Sequence, residues 1–314
     1  MHARTHRLAS VLFRFSLPRN TEPPSHRGHT NEFLGVSLTL ALVVAPLAGC
    51  RPAPPPPVNE VVALGASSLP MDPGDVAWQQ SPVYLAKLIP QDLVEPRQLT
   101  PSTAEVRVQA LTSRGEIALR LEWADAAVND KPGPGAFLDG CAIQIPRTID
   151  AAPPDPQMGQ AGHPVDIAFW RADWQASVDG RPDSLTSLYP NAYIDGYPFE
   201  AKPLEPGSLA QQEAATRYAP AQALGNRRVG PRAQPVEDLV AEGPGTLAAG
   251  GGTKSRGKGV RTATGWAVVI ARTRPAGLAP NVRTTIAFAV WDGAAREAGA
   301  RKMRTIWVPL SVRR

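Results

Sequence analysis

Few side chains in this chain could do chemistry. It has five histidines, and four lie at or before His29, leaving His163 alone in the rest. A histidine-based nucleophilic triad or a multi-histidine metal site has almost nothing to build with. Neither of its two cysteines, Cys50 and Cys141, stands in a C-x-x-C-H sequence, which excludes ordinary covalent attachment of a c-type haem. No G-x-S-x-G, H-E-x-x-H or phosphate-binding loop occurs. Asp166 and Asp173 sit at an odd spacing on an expected strand, so they face opposite sides and make no acid–base pair. Two positions remain. Met158 lies in PPDPQMGQAGHPV, a polar loop rich in proline and glycine, and Lys302 lies in the basic turn GARKMRTIW. On residue type alone, the methionine reads as filler beneath its loop and the lysine as a solvated charge.

The elements that must position them are strands. AEVRVQALTSRGEIALRLEW (104–123) gives two alternating runs around Ser113-Arg114-Gly115, a hairpin signature. Further strands are expected over 141–146, 164–175, 265–274, 284–293 and 305–312. Helical periodicity is nearly absent: Val236 to Val240 and Ala294 to Arg301 each suit one turn. Between about 176 and 235 the chain turns polar and proline-rich, which reads as a long excursion over the surface. Short strands with Gly/Pro punctuation imply an all-β fold. The expected architecture is a two-sheet antiparallel β-sandwich with a few short helical turns and that long surface loop.

The N-terminus reads as a leader. Arg27 and His29 precede an apolar run from Phe33 to Leu47, followed by Ala48, Gly49 and Cys50. This is the layout of a secretory signal, and the run is too short for a comfortable membrane span. Leu47-Ala48-Gly49-Cys50 resembles a bacterial lipobox, which implies export and lipidation of Cys50, with the protein held at the membrane surface on the periplasmic side. RPAPPPPVNE then suits a stiff spacer. The expected organisation is a leader over 1–50, a tether over 51–66 and one domain over 67–314. With Cys50 lipidated, Cys141 has no intramolecular disulfide partner. The net charge of +5 is modest, and KSRGKGVR (254–261), the densest basic patch, suits a solvated loop better than a nucleic-acid face.

Several stretches resemble one family in order. They are LPMDPGDVAWQQSPVYLAKLIPQ (69–91), IALRLEWADA (117–126), FLDGCAIQIP (137–146), PPDPQMGQAGHPVDIAFWRADWQ (153–175), VEDLVAEGPGTL (236–247), GKGVRTATGWAVVIARTR (257–274) and IAFAVWDGAAREAGARKMRTIWVPL (286–310). Together they resemble the haem b-binding gamma subunits of ethylbenzene dehydrogenase and related dimethylsulfide, chlorate and selenate reductase complexes. The last block is the most specific.

The resemblance implies a β-sandwich that grips one non-covalent haem b, with a methionine thioether and a lysine amine as axial iron ligands. Met158 and Lys302 fill those positions. It also implies an electron-transfer role, with no substrate of its own, beside molybdopterin and iron–sulfur subunits or c-type cytochromes. Phe169, Trp170, Trp266, Phe288 and Trp291 are candidates to line a slot between the packed sheets. Met303, His163 and Lys258 stay open as alternative ligands. The lipobox departs from the soluble periplasmic subunits of that family. The competing reading is a binding or structural lipoprotein whose sandwich carries no cofactor.

Overall fold

The structure is a computed structural model that describes residues 58–150, 152–182, 190–191, 204–218, 232–250 and 254–313. The proposed leader and Cys50 lie outside the described residues.

Alternation of apolar and polar residues builds a chain of strands in two sheets. The first sheet holds β1 (Val61–Gly65), β4 (Glu105–Ser113), β5 (Glu116–Ala124), β10 (Arg256–Arg261), β11 (Gly265–Thr273) and β14 (Val308–Arg313), in the order β10-β11-β5-β4-β1-β14. The short β2 (Tyr84–Lys87) pairs with β4. The second holds β6 (Gly140–Pro146), β7 (Val165–Arg171), β8 (Val236–Ala241) and β9 (Ala248–Ala249), in that order. One long strand, β12 (Arg283–Trp291), joins the two. Its first half, Arg283 to Ile286, pairs with β14, and its second half, Ala287 to Trp291, pairs with β6. On β12 lies the short β13 (Met303–Arg304), which also pairs with β3 (Ile89–Pro90).

The all-β sandwich expected from the sequence is therefore present, with one difference in direction. β1 runs parallel to both β4 and β14, whereas the other pairings are antiparallel. The hairpin at Ser113-Arg114-Gly115 tightens to a two-residue loop. Arg114 and Gly115 have φ of 45° and 83°, the left-handed pair that matches strand twist.

Four local expectations are corrected. Residues 61–65, read as tether, form β1, a buried strand between β4 and β14; the domain therefore reaches back at least to Val61. The strand expected over 164–175 stops at Arg171, and Ala172–Val178 is a helix, α1, which takes Asp173 off the strand that holds Asp166. Val236–Ala241 is strand, because β7 supplies a full ladder of partners. The basic patch at 254–261 is mostly β10, not a loop. Its glycines are steric: a Cβ on Gly259 would lie 2.3 Å from the Trp170 ring, and one on Gly257 the same distance from Val236. Within the expected excursion the described residues include a second helix, Leu209–Tyr218.

The main core fills the space between the sheets. Ile117, Leu119 and Leu121 of β5 and Val268 and Ile270 of β11 meet Ile143, Ile145, Trp170 and Phe288 there. Trp170 packs edge-on against Trp123 and Trp266. Cys141 belongs to the same core, and burial pushes its thiol up, so it packs as an inert apolar group. No helix among the described residues is long and apolar enough to cross a membrane.

Candidate functional site

A second apolar layer covers the opposite face of the β6–β7–β8 sheet. Because successive strand residues point to opposite sides, Cys141, Ile143 and Ile145 of β6 enter the main core while Ala142 and Gln144 face outward. In β7, Ala168 and Trp170 go inward, and Ile167, Phe169 and Arg171 go outward. In β12, Val290 goes inward, and Ala287, Ala289 and Trp291 go outward. These outward residues floor a cleft of about 520 Å³, within the range of roughly 300–1,000 Å³ typical of small-molecule and cofactor sites. The slot expected between the sheets is therefore on the outside of one of them. Of the five candidate aromatics, Phe169 and Trp291 line it, whereas Trp170, Trp266 and Phe288 point into the main core.

One wall is the loop carrying Met158. Met158 and Gly159 both have positive φ, 73° and 81°. For methionine this is uncommon and costs about 1–3 kcal/mol, so the surroundings must hold it. Gly159 N–H donates to the Asp155 carbonyl at 2.9 Å, and Gly243 N–H donates to the Met158 carbonyl at 2.8 Å. Gln144 Nε2 donates to the Pro156 carbonyl, and Trp307 Nε1 donates to that of Pro154. A side chain at position 159 would bring a Cβ within 2.9 Å of the His163 carbonyl oxygen. The half-buried Met158, like Phe169, Trp291 and Trp307, packs against the buried cluster of Ala142, Val165, Ile167, Leu239 and Ala241.

The facing wall is the run into β13. Gln91 N–H donates to the Lys302 carbonyl at 3.0 Å, and β13 is held between β12 and β3. Met303 enters the main core at 1% exposure, so its neighbours Lys302 and Arg304 both turn to the cleft. Lys302 Nζ lies 5.2 Å from the centre of the Trp291 ring. Burial, reinforced by the positive charge of Arg304, lowers the Lys302 pKa to about 8.

Met158 and Lys302 thus share a single cleft. The three alternatives do not reach it. Met303 is core, and His163 is half exposed, 3.9 Å from Asp150. Lys258 Nζ bonds Asp72 at 2.8 Å across the first sheet. A thioether and an amine free of its proton are both lone-pair donors that suit a transition metal. The walls around them are mostly apolar, so the arrangement fits a ligand that is itself largely apolar.

Sequence reasoning did not find the acidic corner of Asp125, Asp139 and Asp292. One carboxylate oxygen from each lies within 4.8 Å of the others, although the three are scattered along the chain. Asp139 ties the corner together. It accepts from the Asn129 and Gly293 N–H groups and from Trp266 Nε1, at 2.8, 3.0 and 3.0 Å. Burial, followed by repulsion from Asp139, raises the Asp125 pKa to about 6.

Comparison with known proteins gives three findings. The sequence profile of a family described as ethylbenzene dehydrogenase matches residues 75–303. A protein of Haloferax mediterranei, provisionally named respiratory nitrate reductase heme subunit, is 25% identical over 269 residues, covering 82% of this chain and 72% of its own length. Among solved structures, a family 9 carbohydrate-binding module from Caldicellulosiruptor kristjanssonii in complex with cellotriose is similar at a TM-score of 0.39 and 9% identity. That likeness covers 81% of this chain and 93% of the module, and it is too slight to inform the fold or the ligand.

Proposed function

This chain belongs to the ethylbenzene dehydrogenase family, and from that premise we propose that it is a haem-binding electron-transfer subunit holding one non-covalent haem b in the Met158–Lys302 cleft. The observation that carries the reading is the convergence of one thioether and one lysine, far apart in sequence, on a single apolar cleft. The name of the Haloferax relative agrees with it.

The residues fit the group. The floor of Ala142, Ile167, Phe169, Ala287 and Ala289 offers an apolar macrocycle a surface that excludes water. Met158 and Lys302 would hold the iron. Lysine ligates only as the neutral amine, and lowering its pKa from 10.5 to about 8 removes about 3 kcal/mol of the cost of shedding the proton at neutral pH. The bound haem would supply a one-electron iron couple, whose potential a methionine ligand raises. With Met158 and Lys302 both holding the iron, no coordination site would be left for a substrate, which favours electron transfer over catalysis.

The chain would pass electrons between a respiratory oxidoreductase, through molybdopterin and iron–sulfur subunits, and a carrier such as a c-type cytochrome. The lipobox-like Leu47-Ala48-Gly49-Cys50 supports export and anchoring through Cys50 on the periplasmic side of the membrane.

Purification from a haem-replete host tests the reading. The protein should be red, with a low-spin spectrum and a haem that acid–acetone extracts completely. Met158→Ala and Lys302→Ala should each shift the spectrum toward high spin, while Lys258→Ala leaves it unchanged. A colourless protein, or two ligand variants that keep the wild-type spectrum, would sink it.

A further inference from the structure

The cleft holds a second cation, Arg304, that the two-ligand scheme leaves unexplained. The other charged side chains lining it are accounted for. Glu95 is exposed and pairs with Arg97. Arg171 makes a two-pronged contact with Asp173, at 2.9 and 2.7 Å. Glu297 is fully buried, but it accepts from Gln98, Ser102 and the Asp292 N–H. Lys302 is already assigned to the iron.

Arg304 has no such resolution. It is 8% exposed, and among the described residues no carboxylate comes within ion-pair distance of it. Among the described residues, the one hydrogen bond of its side chain is a long contact of 3.4 Å from Nη1 to the carbonyl of the next residue, Thr305. Its Nε–H is buried without a partner. A guanidinium keeps its charge at any physiological pH, and an uncompensated buried charge is strongly unfavourable. The remaining way to balance it is an anion brought by the ligand. The planar fork of arginine suits a carboxylate, which it can grip with two parallel bonds.

We propose that Arg304 binds a carboxylate of the molecule that fills this cleft. Resting on the haem reading above, that carboxylate is one of the two haem propionates. Lys302 immediately precedes β13 and Arg304 ends it, on either side of Met303, so one short segment would present both the iron ligand and the counter-charge. The run from Lys302 through β13 would then fix the orientation of the macrocycle as well as its depth. Arg304 is thus a positioning residue.

The test is a titration of the haem-free protein with haemin and with haemin dimethyl ester, whose carboxylates are blocked while its iron is unchanged. The wild-type protein should bind the ester roughly 10- to 100-fold more weakly than haemin, with a low-spin spectrum in both complexes. Arg304→Leu should weaken haemin binding by a similar factor and leave ester binding unchanged. Equal wild-type affinity for the two haems would overturn the assignment, and this comparison holds even if the variant does not fold. So would an Arg304→Leu protein that weakens both haems alike. Failure of the wild-type protein to take up either haem would overturn the haem reading itself, and this assignment with it.

Discussion

Asp125 shows how a residue can be costly where it sits. Its side chain is almost fully buried. One carboxylate oxygen accepts from the Ala127 N–H at 2.9 Å, and the other has no hydrogen-bond partner. Burial and the nearby Asp139 raise its pKa from 3.8 to about 6. The folded state therefore holds the proton more tightly than the unfolded chain does. The ionised carboxylate costs stability above about pH 6, and the cost fades as pH falls toward 4. Asp125→Asn keeps the bond to Ala127 and removes the charge. It should stabilise the protein by about 1–3 kcal/mol at pH 7.5 and by much less at pH 4.5, as measured by urea denaturation. Unchanged or reduced stability at pH 7.5 would refute this account of the corner.

β1 is the element on which the first sheet closes. Val61, Val62 and Ala63 are at most 3% exposed, and the strand pairs with β4 on one side and β14 on the other. Without it, two long strands would face each other with open hydrogen-bonding edges in the middle of the sheet. A chain beginning at Val58 should fold. One beginning at Ser67, where a sequence-based boundary falls, should be insoluble or should melt well below the longer chain. Equal melting temperatures for the two would show that β1 is dispensable. The sequence hid this strand because VVALG lies only three residues after a proline run and is too short to alternate. Only its parallel pairing with distant partners identifies it.

The molecule as a whole separates its two apolar layers by strand parity. The same strands that seal the sandwich on one face floor the cleft on the other, so the cleft can open or fill without breaching the core. Such a module suits a carrier that docks beside larger subunits, and a lipid anchor would keep it near them. If Cys50 carries that anchor, Cys50→Ser should move the protein from the membrane fraction to the soluble exported fraction. Retention of the variant on membranes would remove the anchor from the proposal.

Residue types and their alternation determined the strand-rich class, the hairpin at Arg114-Gly115 and the candidacy of Met158 and Lys302, because these depend on local pattern and on a resemblance carried in blocks. Tertiary structure alone decided which face of the second sheet holds the cleft. It also separated Lys302 from Met303, since a one-residue step along extended chain moves a side chain from the cleft to the core. The acidic corner and the unpaired Arg304 were invisible in sequence for the same reason. Charge balance is a property of neighbours in space, and folding brings those neighbours from distant parts of the chain.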